Sequence, residues 1–255
     1  MENVILYSVL RSLRAKNDAG PKAKTDINEF LTEEGFKVMD LDLPEKRLEK
    51  FLFVHLKLKR LFKGRQFDNV ILQYPFYSVF LTKKIIENAK KVTHGKFLIM
   101  VHDVETLRVY DGNKQFEKDE MEIFNSADGL IVHNSKMAEW LKQHGVTVPI
   151  TILGIFDYRN DCQKNERFEY QKSIYFAGNL EKSTFLKKVK LNDAKLDVYG
   201  PSPAQEYQKG VTYCGVYTPD DLPNHLNENF GLIWDGDELS ACTGVFGNYM
   251  RYNAP

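Results

Sequence analysis

Short apolar runs alternate with amphipathic stretches along nearly the whole chain. NVILYSV (3–9), KVMDL (37–41), NVILQY (69–74), KFLIMVH (96–102) and GLIVH (129–133) read as buried strands. Between them, helical periodicity predicts helices near 24–35, 45–63, 78–91, 114–127 and 135–144. Near-continuous apolar strands separated by helices mean βαβ units and a parallel sheet covered on both faces. A second series follows: SIYFAG (173–178), KLDVYG (195–200), VTYCG (211–215) and FGLIWDG (230–236), with helices expected near 182–190 and 219–228. Residues 155–172 are polar and irregular, as a linker is. The predicted architecture is α/β: two doubly wound, Rossmann-like domains in tandem, 1–154 and 173–255, joined by 155–172. Sheets of this kind bind ligands at the carboxyl ends of their strands, and two of them can face each other across a cleft.

Composition narrows the partners. The 255 residues carry 35 Lys+Arg against 35 Asp+Glu, so no basic excess favours nucleic acid. Three cysteines, with no C-x-x-C pair, support neither a disulfide framework nor a zinc site and suit reduced thiols in the cytoplasm. The amino terminus has the wrong flanks for a signal peptide, and no apolar run reaches the roughly 18 residues of a membrane span. A cytoplasmic location is expected. Residues 46–65 hold eight Lys/Arg and one Glu among Phe51, Leu52, Phe53, Leu56, Leu58, Leu61 and Phe62. That pattern fits either a scaffold helix with a solvated basic face or a helix lying on the inner face of a membrane.

Several familiar chemistries are missing. There is no G-x-G-x-x-G after a strand, no P-loop, no H-E-x-x-H and no G-x-S-x-G, which disfavours dehydrogenase, P-loop NTPase, zinc hydrolase and serine hydrolase readings. The remaining candidates sit after strands. The loop following the first strand offers Asn17, Gly20 and Lys22 to a polar ligand, or is an ordinary βα connection. His102 and Asp103 follow another strand and suit a general base acting on a hydroxyl, or a packed imidazole beside a turn cap. In the second series Gly178 permits close backbone approach, Asn179 can hydrogen-bond and Lys182 can meet a phosphate. Tyr217 can stack on a base or pack against its turn. Asp235-x-Asp237 is either a divalent-metal pair or a turn with sugar contacts; Asp40-x-Asp42 repeats the spacing, so the motif is weak.

NDAGPKAKTDI, HDVETLR, IYFAGNL, CGVYTPDDLP, FGLIWDGD and GNYMRYNAP, in this order, resemble the bacterial glucosyltransferase-3-type family, which includes galactofuranosyltransferase-like members and has the GT-B fold. The resemblance implies transfer of a hexose (glucosyl, galactosyl or galactofuranosyl) from a nucleotide-diphosphate sugar, commonly UDP-linked, to a sugar hydroxyl. The acceptor would be a glycan of a polysaccharide or glycoprotein. It implies no cofactor and no metal, which sets Asp235 among the sugar contacts, and self-assembly would be in keeping with it. By the same resemblance Asn17, Gly20, Lys22 and His102 lie on the acceptor side with Asp103 at the reacting centre. Gly178, Asn179, Lys182, Tyr217 and Asp235 line the nucleotide sugar, and Asn253 opens a phosphate-facing helix. Relatives continue past the Asn-x-Pro at 253–255, so a truncated second domain is expected. Two other readings stand beside this one: a non-catalytic nucleotide-sugar-binding subunit, and a metal-dependent transferase using Asp235 and Asp237.

Overall fold

The computed structural model describes residues 2–10, 19–76, 78–154, 157–162, 169–234 and 239, with residues 19 and 20 described by backbone alone. Their contacts separate them into two units, the first running to Tyr158 and the second starting at Arg159.

The first unit is a six-stranded, all-parallel sheet. Its strands are β1 (Glu2–Tyr7), β2 (Lys37–Asp40), β3 (Phe67–Tyr74), β4 (Phe97–Val101), β5 (Gly129–Val132) and β6 (Ile150–Ile152), in the order β2-β1-β3-β4-β5-β6. The helices are α1 (Ala19–Glu33), α2 (Arg47–Leu52), a π turn (Phe53–Leu58) running into α3 (Lys59–Phe62), α4 (Val79–Lys90), α5 (Glu105–Arg108), α6 (Lys114–Asn125) and α7 (Ser135–Gln143). Alternation along the strands divides the core. Ile5, Ile71 and Met100 meet Ile27 and Leu31 of α1 on one face. Val4, Leu6, Val70, Leu72, Ile99, Val101 and Leu130 meet Leu81, Ile85, Phe124 and Leu141 of the other helices on the opposite face. Both faces are buried, which is why these strands read as continuous apolar runs. Side-chain caps start the longer helices: Ser78 Oγ accepts from Leu81 N, Asn113 Oδ1 from Phe116 N and Asn134 Oδ1 from Met137 N.

Three elements differ from the sequence expectation here. Gly20 lies within α1 (Ala19–Glu33), whereas the sequence reading placed it in the loop after the first strand. β6 and the one-turn α5 were not anticipated; β6 is three residues long and mostly exposed, leaving almost no apolar signal.

The second unit has a parallel sheet of β7 (Ser173–Ala177), β8 (Lys195–Tyr199), β9 (Val211–Gly215) and β10 (Phe230–Gly231), ordered β10-β7-β8-β9. Its separate core gathers Phe176, Leu180, Phe185, Leu186, Leu196 and Val198. The helices expected at 182–190 and 219–228 are single 3₁₀ turns, Thr184–Lys187 and Leu222–Asn224. Local side-chain bonds explain both. Asn179 Oδ1 accepts from the backbone N–H of Glu181 and Lys182, and Thr218 Oγ1 accepts from Asp221 N, so short turns replace a regular first helical turn.

Candidate functional site

In the first sheet the chain reverses its direction of winding between β1 and β3, and ligands of doubly wound sheets gather at such a switch point, outside the carboxyl strand ends. Four strands end there in polar residues. Ser8 follows β1, Gln73 is the penultimate residue of β3, His102 and Asp103 follow β4, and His133 follows β5. Lys24 of α1 points in among them and is 6% exposed.

Ser8, Lys24, Gln73, His102 and His133 form one hydrogen-bonded chain. Lys24 Nζ donates to Ser8 Oγ at 3.0 Å and to the Pro75 carbonyl at 2.8 Å, and Ser8 Oγ donates to the Gln73 carbonyl at 2.7 Å. Gln73 Nε2 donates to the Lys24 carbonyl at 3.0 Å and to Asn28 Oδ1 at 2.8 Å. A carbonyl only accepts, so the amide nitrogen must face Lys24 and the amide oxygen is left for His102 Nε2, 2.8 Å away. His102 therefore carries its proton on Nε2 and holds its lone pair on Nδ1. The same logic applies to His133, whose Nε2 lies 2.9 Å from the His102 carbonyl. Burial, followed by the Lys24 charge and then that of His133, holds the His102 imidazole well below its ordinary pKa, so it is neutral at physiological pH. Burial likewise lowers His133.

Burial also drives the Lys24 ammonium down to about 7, against the opposing pull of Asp103 and Glu105. Glu105 opens α5 and is 2% exposed; burial first, then the charge of Glu120, raises its carboxyl to about 7. Its Oε1 has no hydrogen-bond partner among the described residues. Glu120 of α6 fixes this corner. Its Oε1 accepts from Tyr74 OH at 2.8 Å and Glu105 N at 2.7 Å, and its Oε2 from Thr106 N at 3.1 Å, so a buried carboxylate caps α5. Asp103 Oδ2 is held at 2.9 Å by Arg108 Nη1. The switch point thus combines a lysine and a carboxyl that both titrate near neutrality, a neutral imidazole of defined tautomer and a positioned carboxylate. Such a set can bind hydroxyls and move a proton from one.

Of the residues singled out in the sequence, His102 and Asp103 are at this site. Lys22 is ion-paired with Asp26 one helical turn on, and its Nζ lies 4.7 Å from the Tyr158 ring centre. Asn17, Asp235, Asp237 and Asn253 lie outside the described residues. The other Asp-x-Asp is a local turn, with Asp40 Oδ1 accepting from Asp42 N.

In the second unit, Gly178 and Asn179 follow β7, again at a switch point, between β7 and β10. The strand ends are packed backbone to backbone: a Cβ on Gly200, at φ +143°, would lie 1.8 Å from the Gly178 carbonyl oxygen. Asn179 spends its side-chain oxygen on the turn, and the exposed Lys182 ammonium makes no ion pair among the described residues. Tyr217 has one face covered by His225, the rings 3.6 Å apart and nearly parallel. Among the described residues no cluster of His, Cys, Asp and Glu suits a metal ion.

Lys24, Gln73, Glu105, Glu120, Arg108 and His133 were not singled out from sequence. For two of them a signal exists. Gln73 interrupts an apolar strand, and Lys24 shares a helical stripe with Ile27, Asn28 and Leu31, where a buried face is expected.

Comparison with known proteins gives two consecutive family matches. Residues 7–155 match the model of the N-terminal domain of glucosyltransferase 3-like proteins, and residues 174–255 that of the C-terminal domain. The chain is 25% identical over 250 residues to beta-1,6-galactofuranosyltransferase WbbI of Escherichia coli K12, covering 94% of this chain and 71% of that protein. It is 26% identical over 188 residues to glucosyltransferase 3 of Streptococcus parasanguinis, covering 72% of this chain and 56% of that protein. Among solved structures, TarM aligns over 59% of this chain and 33% of its own at 17% identity and a TM-score of 0.41, too loose to add to the assignment. With family models matching both halves in order, the chain belongs to the glucosyltransferase 3-like family of glycosyltransferases.

Proposed function

We propose that this protein transfers a hexosyl group from a UDP-linked sugar to a sugar hydroxyl of a glycan, the first unit binding the acceptor and the second the nucleotide. The observation that carries this reading is the polar, buried switch point with Asp103 beside a neutral His102, in a chain whose relatives are named for glucosyl and galactofuranosyl transfer. Asp103 takes the acceptor hydroxyl proton as the oxygen attacks the anomeric carbon, and Arg108 keeps its carboxylate oriented. His102, neutral and held by Gln73 through Nε2, lines the same site. The leaving diphosphate meets Lys182 and backbone N–H groups of the second unit without a metal ion. Asp235 and Asn253 join Gly178, Asn179 and Tyr217 on the nucleotide side in this proposal.

Release of UDP from UDP-hexoses, with and without glycan acceptors and in the presence of EDTA, tests it. Asp103→Asn should lower turnover at least a hundredfold, while UDP still raises the melting temperature as in the parent. Unchanged turnover removes Asp103 from the role, and a loss confined to His102→Gln moves the proton to the imidazole. UDP binding with no turnover on any hexose donor leaves a nucleotide-sugar-binding subunit instead. Activity that EDTA abolishes and Mn²⁺ restores returns the reaction to a metal-dependent mechanism.

A further inference from the structure

The segment from Arg47 to Phe62 carries two apolar stripes. Phe53, Val54, Leu58 and Phe62 are buried against the first unit's core. Leu48, Phe51, Leu52 and Leu56 recur at helical spacing on the other side and are 69%, 54%, 44% and 59% exposed. A scaffold helix turns its apolar side chains inward and its charges outward. Here the core is already supplied by the first stripe, and the second faces water. Phe51 is propped in place by His55, their ring centres 4.2 Å apart.

The charges around this ridge identify its occupant. Lys46, Arg47, Lys50, Lys57, Lys59, Arg60, Lys63 and Arg65 flank it, against Glu45 and Glu49. A second copy laid on the same face would bring two such cationic rims together, which disfavours self-association there. An apolar ridge with a cationic rim instead suits a bilayer surface, the apolar side chains entering the acyl boundary and the ammonium and guanidinium groups meeting anionic headgroups. We propose that this face docks the first unit on an anionic lipid surface. No described helix is long and apolar enough to cross a membrane, so the contact is a surface one. The proposal is independent of the donor and acceptor assigned above.

Sedimentation of the full chain with large vesicles tests it directly. Vesicles of 30% phosphatidylglycerol in phosphatidylcholine should recruit the protein at least tenfold better than phosphatidylcholine alone at roughly 0.1 M salt, and less well at about 0.5 M, where screening shortens the reach of the rim. Leu48→Ser with Phe51→Ser and Leu56→Ser should abolish recruitment, and Lys50→Glu with Lys57→Glu and Arg60→Glu should lower it at least tenfold. These side chains are mostly exposed, so both variants should melt like the parent, and an unchanged melt is the control. Equal partitioning to both vesicle types, no partitioning, or recruitment indifferent to the serine substitutions overturns the proposal. So does a concentration-dependent dimer in sedimentation velocity that the serine variant dissolves, because the face would then be a contact between copies.

Discussion

Lys24→Met probes the switch point through stability. The Lys24 ammonium falls from its ordinary 10.5 to about 7 because it is buried. At about 1.36 kcal/mol per unit, keeping it charged in the folded protein costs about 5 kcal/mol. Between pH 7 and 10.5 the unfolded chain holds a proton that the folded protein has released, so stability rises with pH by about 1.4 kcal/mol per unit across that window. Below pH 7 the cost is present in full. Methionine keeps the length and removes the charge, but it leaves the Pro75 carbonyl without its donor, a loss of about 1–3 kcal/mol. Ser8 is less affected, since its hydroxyl still donates to the Gln73 carbonyl. The variant should therefore be more stable than the parent by about 2–4 kcal/mol at pH 6, with the advantage gone or reversed by pH 9.5. Urea unfolding of the Trp234→Phe background isolates the first unit, because Trp140, buried there, is then the sole tryptophan. A gap of constant size from pH 6 to 9.5, or a variant less stable at pH 6, would refute the assignment of a charged, buried lysine.

Glu105→Gln should show the opposite pH dependence. The carboxyl is raised from 4.5 to about 7, so the folded protein holds an extra proton in that interval and loses stability as pH rises through it. The glutamine variant should gain up to about 3 kcal/mol above pH 7 and nothing below about pH 4.5, read by urea unfolding. Gln73→Leu should leave His102 a mixture of tautomers, seen as convergence of its two ring nitrogen shifts in ¹⁵N-correlated NMR spectra; parent-like shifts would show that Gln73 does not set the proton. Gly200→Ala should destabilise the second unit by at least about 2 kcal/mol, since the methyl would collide with the Gly178 carbonyl, and a parent-like melt of that unit would contradict the close strand approach.

The central strands of the first sheet were legible because they are buried on both faces, so NVILQY and KFLIMVH carry their structure in composition alone. The second unit was harder. Phe185 and Leu186 look helical in EKSTFLKKV, yet the Asn179 side chain sets a turn ahead of them, and such competition leaves no periodic trace. His102 and Asp103 were readable as polar residues directly after a strand. Glu105 and Glu120 were not, because each sits in an ordinary-looking charged stretch and only their packing shows that they are buried. Lys24 was hidden in the same way between Lys22 and Asp26, one of which faces the other while Lys24 turns inward.

The π turn at Phe53–Leu58 holds about one residue more than an α-helix would use over the same rise. Each residue advances an α-helix by about 100°, so removing one from this turn would swing Leu48, Phe51 and Leu52 by about that angle relative to the anchoring Leu58 and Phe62. The outward aim of the amino-terminal half is thus written in residue count rather than residue type. A one-codon insertion or deletion in this stretch would act as a discrete selector between a helix that offers its leucines to the surroundings and one that turns them away, with every side chain of the ridge unchanged.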